Sequence, residues 1–284
     1  MNWESISMPN LSPQLIGVIH LPALAGAPGA YGEHPSVSLQ KAGARAVQEA
    51  LTLTKAGFHS LILENFGDVP FHKGRVSAET LASLAVIAAA VREAVRVPVG
   101  INILRNDALS ALAVASVTGC DFIRVNVLSG VAATDQGIVE GDAATLLRER
   151  DRLGSDIEIF ADALVKHARS LSGDDLRYAV EDLVLRAKAD AVLVTGPTTG
   201  RSVEDQKLEE ASQICRELSA PLYVASGVSA KSVENVLRYG VAGVIVGSDL
   251  RSGGRAGAAL DSKRIKNFVK AFKDANPKRG KKKK

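Results

Sequence analysis

The stretch PVGINILRNDALSALAVASVTGCDFIRVNV, residues 98–127, decides how the fold is read. Two short apolar runs, Pro98–Ile103 and Phe122–Val127, flank an alanine- and leucine-rich segment at Ala108–Val117. The runs have strand composition and length, whereas the middle segment has helical character and is stopped by Gly119. Successive side chains on a strand point to opposite faces. In the first run Val99, Ile101 and Ile103 share one face, and Gly100 and Asn102 share the other. In the second, Ile123, Val125 and Val127 oppose Arg124 and Asn126. The aliphatic faces are suited to helices packed outside. The polar faces are suited to line the inside of a barrel.

The same strand–helix unit recurs along the chain. Upstream, Leu15–Ile19 and Ser60–Leu63 read as strands, followed by helices at Val37–Ala56, with Ser36 as its cap, and Ala78–Val95. Downstream, strands are expected at Ile157–Ala161, Ala191–Thr195, Pro221–Ala225 and Gly243–Val246. Helices are expected at Ala143–Leu153, Asp175–Lys188, Val203–Leu218, Ala230–Tyr239 and Ala258–Asp274. Leu128–Gly141 reads as a long connection. Eight strands alternating with eight helices give the fold class: α/β, a single-domain (β/α)8 barrel over residues 14–275. An open doubly wound sheet would carry a glycine fingerprint after the first strand, and His20-Leu21-Pro22 is not one. Glu158 and Arg124, on adjacent strands, are expected to pair inside the barrel.

Active sites of such barrels lie at the C-terminal ends of the strands. Those ends hold His20, Glu64, Asn65, Asn102, Arg105, Asn126, Asp162, Thr195, Ser226, Gly227, Gly247 and Ser248, with Lys166 and His167 just beyond. The loops Ser226-Gly227 and Gly247-Ser248 occupy the two units where barrels often bind phosphate on backbone N–H groups. Each also reads as an ordinary glycine turn, and Asp249 would repel a dianion unless it points away. Glu64, Asp162 and His167 are acid/base candidates, although a carboxylate beside Arg105 or Lys166 also reads as an ion-pair partner. Lys166 would serve as a Schiff-base amine only with a lowered pKa. The residues call for no cofactor. His20, Glu64, Asp162 and His167 offer nitrogen and oxygen ligands that leave room for a divalent cation, but no HxH or HExxH spacing supports one, so no metal ligand is assigned. Thr195-Gly196-Pro197-Thr198-Thr199-Gly200 is a hydroxyl-rich loop suited to a polar ligand or to a rigid turn.

The 284-residue chain has globular composition, with 46% hydrophobic and 23% charged residues, which excludes general disorder. Its net charge of +4 is carried by the end of the chain. Residues 277–284 hold six cations, and without them the body is net −2. A basic nucleic-acid-binding surface is therefore not expected of the barrel. Residues 1–13 read as an extension, and 276–284 as a disordered basic tail that could touch anionic lipid or nucleic acid. The apolar run Leu81–Val91 is too short to span a bilayer. Two cysteines, Cys120 and Cys215, make no disulfide framework, which fits a reduced cytoplasmic setting, with peripheral membrane contact left open. Barrels of this size often form homo-oligomers, but no interface is readable.

Several strings together resemble the BtpA family, named for a protein of photosystem I biogenesis. They are GVIHLP (17–22), ENFGDVPF (64–71), NILRND (102–107), FIRVNV (122–127), TDQG (134–137), Ala161-Asp162 with VKHA (165–168), TGPTTG (195–200), SGV (226–228) and VGS (246–248). The resemblance runs from about Gln14 to Lys273. It implies a phosphate-binding-type barrel. It also implies, for photosynthetic members, a part in accumulation of photosystem I proteins, which cannot be general because members occur without photosynthesis. Two functions are therefore expected. The first is an enzyme of lyase, isomerase or hydrolase type acting on a small phosphorylated metabolite of sugar or nucleotide kind. Ser226, Gly227, Gly247 and Ser248 would hold phosphate. Asn65, Asn102, Arg105, Arg124, Asn126, Thr195, Thr198 and Thr199 would bind substrate. Glu64, Asp162, His20, Lys166 and His167 would carry the chemistry. The alternative is a non-catalytic factor for biogenesis of a membrane complex.

Overall fold

The structure is a computed structural model describing residues 13–30, 32, 34–196 and 203–276. In chain order its strands are β1 (Gln14–His20), β2 (Ser60–Glu64), β3 (Val99–Asn102), β4 (Phe122–Val125), β5 (Val131–Thr134), β6 (Gly137–Glu140), β7 (Glu158–Asp162), β8 (Ala168–Ser170), β9 (Ala191–Val194), β10 (Leu222–Ala225) and β11 (Gly243–Val246). The α-helices are α1 (Pro35–Ala56), α2 (Ala78–Ala94), α3 (Ala108–Thr118), α4 (Ala143–Arg152), α5 (Leu176–Glu181), α6 (Asp205–Glu217), α7 (Val233–Arg238) and α8 (Ser262–Ala275). Eight of the strands are parallel and close in the order β1-β11-β10-β9-β7-β4-β3-β2. The expected (β/α)8 barrel is the fold.

Helix ends follow local chemistry. Ser77 accepts the Thr80 N–H at the start of α2, and Asp107 accepts that of Ser110 at α3. Gly119 ends α3 in the left-handed region at φ 69°. At α1 the expected cap is displaced by two residues. Pro35 takes the first helical position, so His34 becomes the cap and its Nδ1 accepts the Ser36 N–H. Helix α7 starts three residues later than its pattern suggests, because the Ala230 N–H is held by Asp249 at 3.0 Å. Helix α5 passes into a π-turn at Asp182–Arg186.

The connection after β4 is not a plain loop. It folds into the hairpin β5–β6, and β8, from the loop after β7, pairs antiparallel with β5. Ala132 and Ala133 are poor strand formers, so composition hides β5. The turn is fixed by Gly137 at φ 94° and by the Thr134 hydroxyl donating to the Gly137 carbonyl at 2.8 Å. The small sheet β6-β5-β8 thus stands beside the barrel's C-terminal mouth.

Inside the barrel the lower layers are apolar. Ile16, Val18, Ile62, Phe122, Phe160, Leu193 and Ile245 pack there, with Phe122 stacked on Phe160 at 4.7 Å between ring centroids. Gly100 makes room for this: a Cβ on it would lie 2.2 Å from the Phe122 ring. The expected Arg124–Glu158 pair does not form. Register sets Arg124 level with Phe160, and Glu158 one inward-facing position lower at the exposed opposite end. Arg124 reaches upward to Asp162 instead.

The Gly100→Val variant should lose about 1–3 kcal/mol by overpacking. Phe122→Leu in the same chain should restore part of that loss, as read from urea unfolding midpoints.

Candidate functional site

Above the aromatic layer the inward-facing residues become polar, and nearly all are buried. His20, Glu64, Asn102, Arg124, Asn126, Asp162 and Thr195 are each at most 7% exposed. Such groups persist out of water only if they satisfy one another. They do so in two clusters. In the first, the Asn102 amide donates to Glu64 Oε2 at 2.7 Å, and His20 Nε2 faces Glu64 Oε1 at 3.8 Å. In the second, Arg124 grips Asp162 with Nε and Nη2 at 3.1 and 3.0 Å, and the Asn126 amide donates to Asp162 Oδ2 at 2.5 Å.

Electrostatics assigns protonation states. Burial pushes the His20 imidazole down to about 4, partly opposed by Glu64. The ring is therefore neutral near pH 7. The Gly257 N–H donates to Nδ1 at 3.1 Å, which leaves the proton on Nε2, facing Glu64. Burial alone would raise the Glu64 carboxyl. The interaction with His20, then the charges of Lys166 and Arg124, and the Asn102 hydrogen bond outweigh burial and hold it below the usual range. The Lys166 ammonium is held low by burial and then by Arg124, against the pull of Glu64 and Asp162. Among the described residues Lys166 makes no ion pair, so the expected loop pair with a carboxylate is absent. The loop bearing it is clamped by Arg105 Nη2, which donates to the Lys166 carbonyl at 2.6 Å.

Other expected residues take different places. Asn65 is fully buried and engaged within the protein. Its Oδ1 accepts the Leu104 N–H at 2.7 Å and its Nδ2 donates to Asp68 at 3.0 Å, so it clamps two loops rather than facing the mouth. His167 lies exposed on the rim, outside the buried layer. The set His20, Glu64, Asp162 and His167 is not assembled as metal ligands, and no group of three such side chains suited to a metal occurs among the described residues. Thr198 and Thr199 lie outside the described residues. Ser226, in the β10 loop, sits at φ 119°, where a side chain is strained, beside Gly227 at φ 72°. Asp249 is held by Arg264 at 2.6 Å and by the Ala230 N–H, so its charge is matched on the helix side. Two buried atoms of the mouth, Asn126 Oδ1 and Thr195 Oγ1, have no hydrogen-bond partner.

A supporting network went unseen in the sequence. Arg251 is wholly buried and binds Glu49 through both terminal nitrogens, as well as the Val18 and Ala258 carbonyls. Arg45 joins Glu49 at 3.0 Å to the Gly257 carbonyl at 3.2 Å, and Gly257 holds His20. Phe66 lies on the His20 ring at 4.6 Å between centroids. One signal was readable: Glu49 sits on the buried stripe of α1 with Ala42, Ala46, Ala50 and Leu53. Nothing local marks Arg251.

The model of the BtpA family matches residues 12–274. The chain belongs to the BtpA family. An uncharacterised protein of Pyrococcus horikoshii is 43% identical over 91% of this chain and 95% of its own length. The photosystem I biogenesis protein BtpA of Synechocystis is 41% identical over 91% of this chain and 87% of its own. Among solved structures, N-(5'-phosphoribosyl)anthranilate isomerase of Pyrococcus furiosus matches with a TM-score of 0.54 and 15% identity, over 92% of this chain and 99% of that one. That likeness concerns the barrel. Among the described residues no helix is long and apolar enough to cross a membrane. The family's strings map onto the geometry above: GVIHLP supplies His20 at the end of β1, ENFGD supplies Glu64 and Phe66, and FIRVN supplies Arg124 and Asn126.

Two outcomes are expected from this geometry. His20 is held neutral in the fold, with its pKa lowered from 6.5, so its contribution to stability is complete above pH 6.5 and declines as pH falls toward 4. Between pH 7 and 4.5 the native chain should lose about 2–3 kcal/mol that the His20→Asn variant does not. Urea midpoints at both pH values measure the difference, and identical pH dependence would refute it. The Arg251→Met variant should lose about 3–5 kcal/mol by stranding Glu49, and adding Glu49→Gln should recover part of it.

Proposed function

We propose that this protein is an enzyme that moves a proton on a small phosphorylated metabolite at the C-terminal mouth of the barrel, in lyase or isomerase chemistry. The observation that carries the reading is the buried polar layer itself. It gathers an ionised Glu64, a neutral His20 and a Lys166 with a lowered pKa around a mouth where Asn126 Oδ1 and Thr195 Oγ1 lack partners. A scaffold has no use for two buried arginines, Arg105 and Arg124, two buried carboxylates, Glu64 and Asp162, and a half-buried Lys166 gathered at one end of a barrel.

In this reading Glu64, oriented by Asn102, takes the substrate proton and returns it to the neighbouring carbon, while the Lys166 amine lies in the same field and holds the carbonyl as a Schiff base, releasing its oxygen as water. His20 keeps its Nε2–H toward Glu64 and steadies that carboxylate. The strained Ser226-Gly227 loop and Gly247-Ser248 attract the phosphate on their backbone N–H groups. Asp162 serves as the counter-ion that fixes Arg124 and Asn126, not as a base, because both its oxygens are already engaged. The phosphoribosyl substrate named for the P. furiosus isomerase supports a phosphorylated substrate as the first class to try. The name of the Synechocystis relative supports a second reading, a part in biogenesis of a membrane complex. Under that reading the mouth residues would be dispensable.

The test is exchange of substrate C–H for deuterium in D2O, followed by proton NMR over a panel of sugar phosphates. The native protein should wash deuterium into one position of one panel member, and Glu64→Gln should stop this while ligand binding persists. Lys166→Met should also stop it while raising the melting temperature, because burial disfavours the ammonium it removes. Exchange unaffected by either variant would reject the assignment. Asp162→Asn should instead destabilise the fold by about 3–5 kcal/mol, since it strands the Arg124 charge.

A further inference from the structure

The end of the barrel opposite the mouth is not closed. An open pocket of about 690 Å³ lies where the strands begin, lined by Ser60 of β2, Phe122 of β4, Glu158 of β7 and Tyr223 of β10. Its inner end is the underside of the aromatic layer. Phe160 stacks on Phe122 there, and the Tyr223 ring leans on Phe160 at 5.1 Å between centroids. Gly243 admits the Tyr223 ring, since a Cβ on it would lie 2.7 Å away. The apolar layer of the barrel separates this pocket from the mouth.

The lining has the opposite chemistry to the mouth. No lysine, arginine or histidine lines the pocket, and its polar side chains are carboxylates, hydroxyls and one thiol. Asp121 is engaged: it accepts the Val99 N–H at 2.8 Å and faces Arg92 at 3.8 Å. Asp156 and Glu158 make no ion pair with any described residue. Burial, then the carboxylates of Asp190, Asp121 and Asp156, push the Glu158 carboxyl up. A group of a different kind also faces the pocket unmet. Ser60 lies on the inward face of β2, two residues before Ile62, and is only 8% exposed. Its hydroxyl makes no hydrogen bond with a described residue, whereas buried hydroxyls ordinarily have a partner. The Tyr223 hydroxyl makes none either, and burial, then Glu158, pushes it up to about 12, so it keeps its proton.

The unmet groups, two hydroxyls and two carboxylates, can all accept hydrogen bonds. A ligand that satisfies them brings N–H donors and positive charge. A metal ion does not fit, because no group of three side chains suited to one occurs among the described residues. The aromatic rings suit an organic cation instead: they cover an alkyl stem and attract its charge. We propose that this pocket is a second binding site, separate from the mouth, for an organic polyammonium ion. Its ammonium groups meet Glu158, Asp156 and the hydroxyls of Ser60 and Tyr223, and its methylene stem lies against the aromatic end.

Calorimetric titration of spermidine at about 0.15 M salt tests this. The full chain should bind it, Glu158→Gln should weaken binding at least about tenfold, and Asp156→Asn about threefold. Both residues reach the surface, so both variants should keep the fold, which circular dichroism checks. Glu209→Gln removes the same charge from an exposed position on α6 and should leave the affinity unchanged. Residues 277–284 hold six cations and offer the same chemistry from within the chain. A chain ended at Asn276 that binds spermidine tighter than the full chain names that segment as the occupant, and equal affinity names a free polyamine. Absence of binding to both chains would overturn the proposal. So would full affinity in folded Glu158→Gln, or an equal loss in Glu209→Gln.

Discussion

The constraint on which the mouth depends is the desolvation of Asp162 and Arg124. Two opposite charges at most 5% exposed are tolerable only as a pair with good geometry and further hydrogen bonds. The pair meets that condition through two arginine nitrogens and the Asn126 amide. Three consequences follow from this one contact. It fixes the Asn126 amide, it holds the Arg124 charge beside Lys166 and Glu64, and it caps the aromatic layer of Phe122 and Phe160 below.

Support from outside the barrel wall matters as much as contacts within it. Arg251 and Glu49 tie α1 to the loop after β11, and Arg45 and Gly257 carry that tie to the Nδ1 face of His20. A residue in the first helix and another near the last strand thereby determine a tautomer at the mouth. Lys166 shows the opposite economy. Its ammonium is disfavoured where it sits, and the fold keeps it there through a clamp on its backbone carbonyl rather than through a partner for its charge. Stability given up at one side chain in this way is characteristic of reactive sites.

Much of the fold was legible because its signals are local. Ser77, Asp107 and Gly119 stand where helix ends need them, and the two-residue alternation in FIRVN separates core-facing from barrel-facing residues without reference to any other segment. The hairpin β5–β6 was not legible. Its alanines lack strand preference, and its pairing with β8 joins residues some 35 positions apart. Asn65 misled for a related reason: a strand-end asparagine looks the same whether its amide meets a ligand or, as here, Leu104 and Asp68. The partner of Arg124 differs from the one adjacency suggests, because the register of two parallel strands decides which carboxylate an arginine reaches.

The sequence by itself determined the alternation of strands and helices, the closure into eight units, the polar character of one barrel end and the membership of Glu64, Asn102, Arg124, Asn126 and Asp162 in it. Those depend on periodicity and side-chain type, which a linear chain displays. Only the tertiary structure decided which charges pair, which proton His20 carries, why Lys166 is held low, and that an acidic pocket opens at the end of the barrel opposite the mouth. Each of these depends on distances between residues far apart in the chain and on the exclusion of water when the barrel closes. Coulombic strength and desolvation both grow steeply in that enclosed space, and no single segment encodes them.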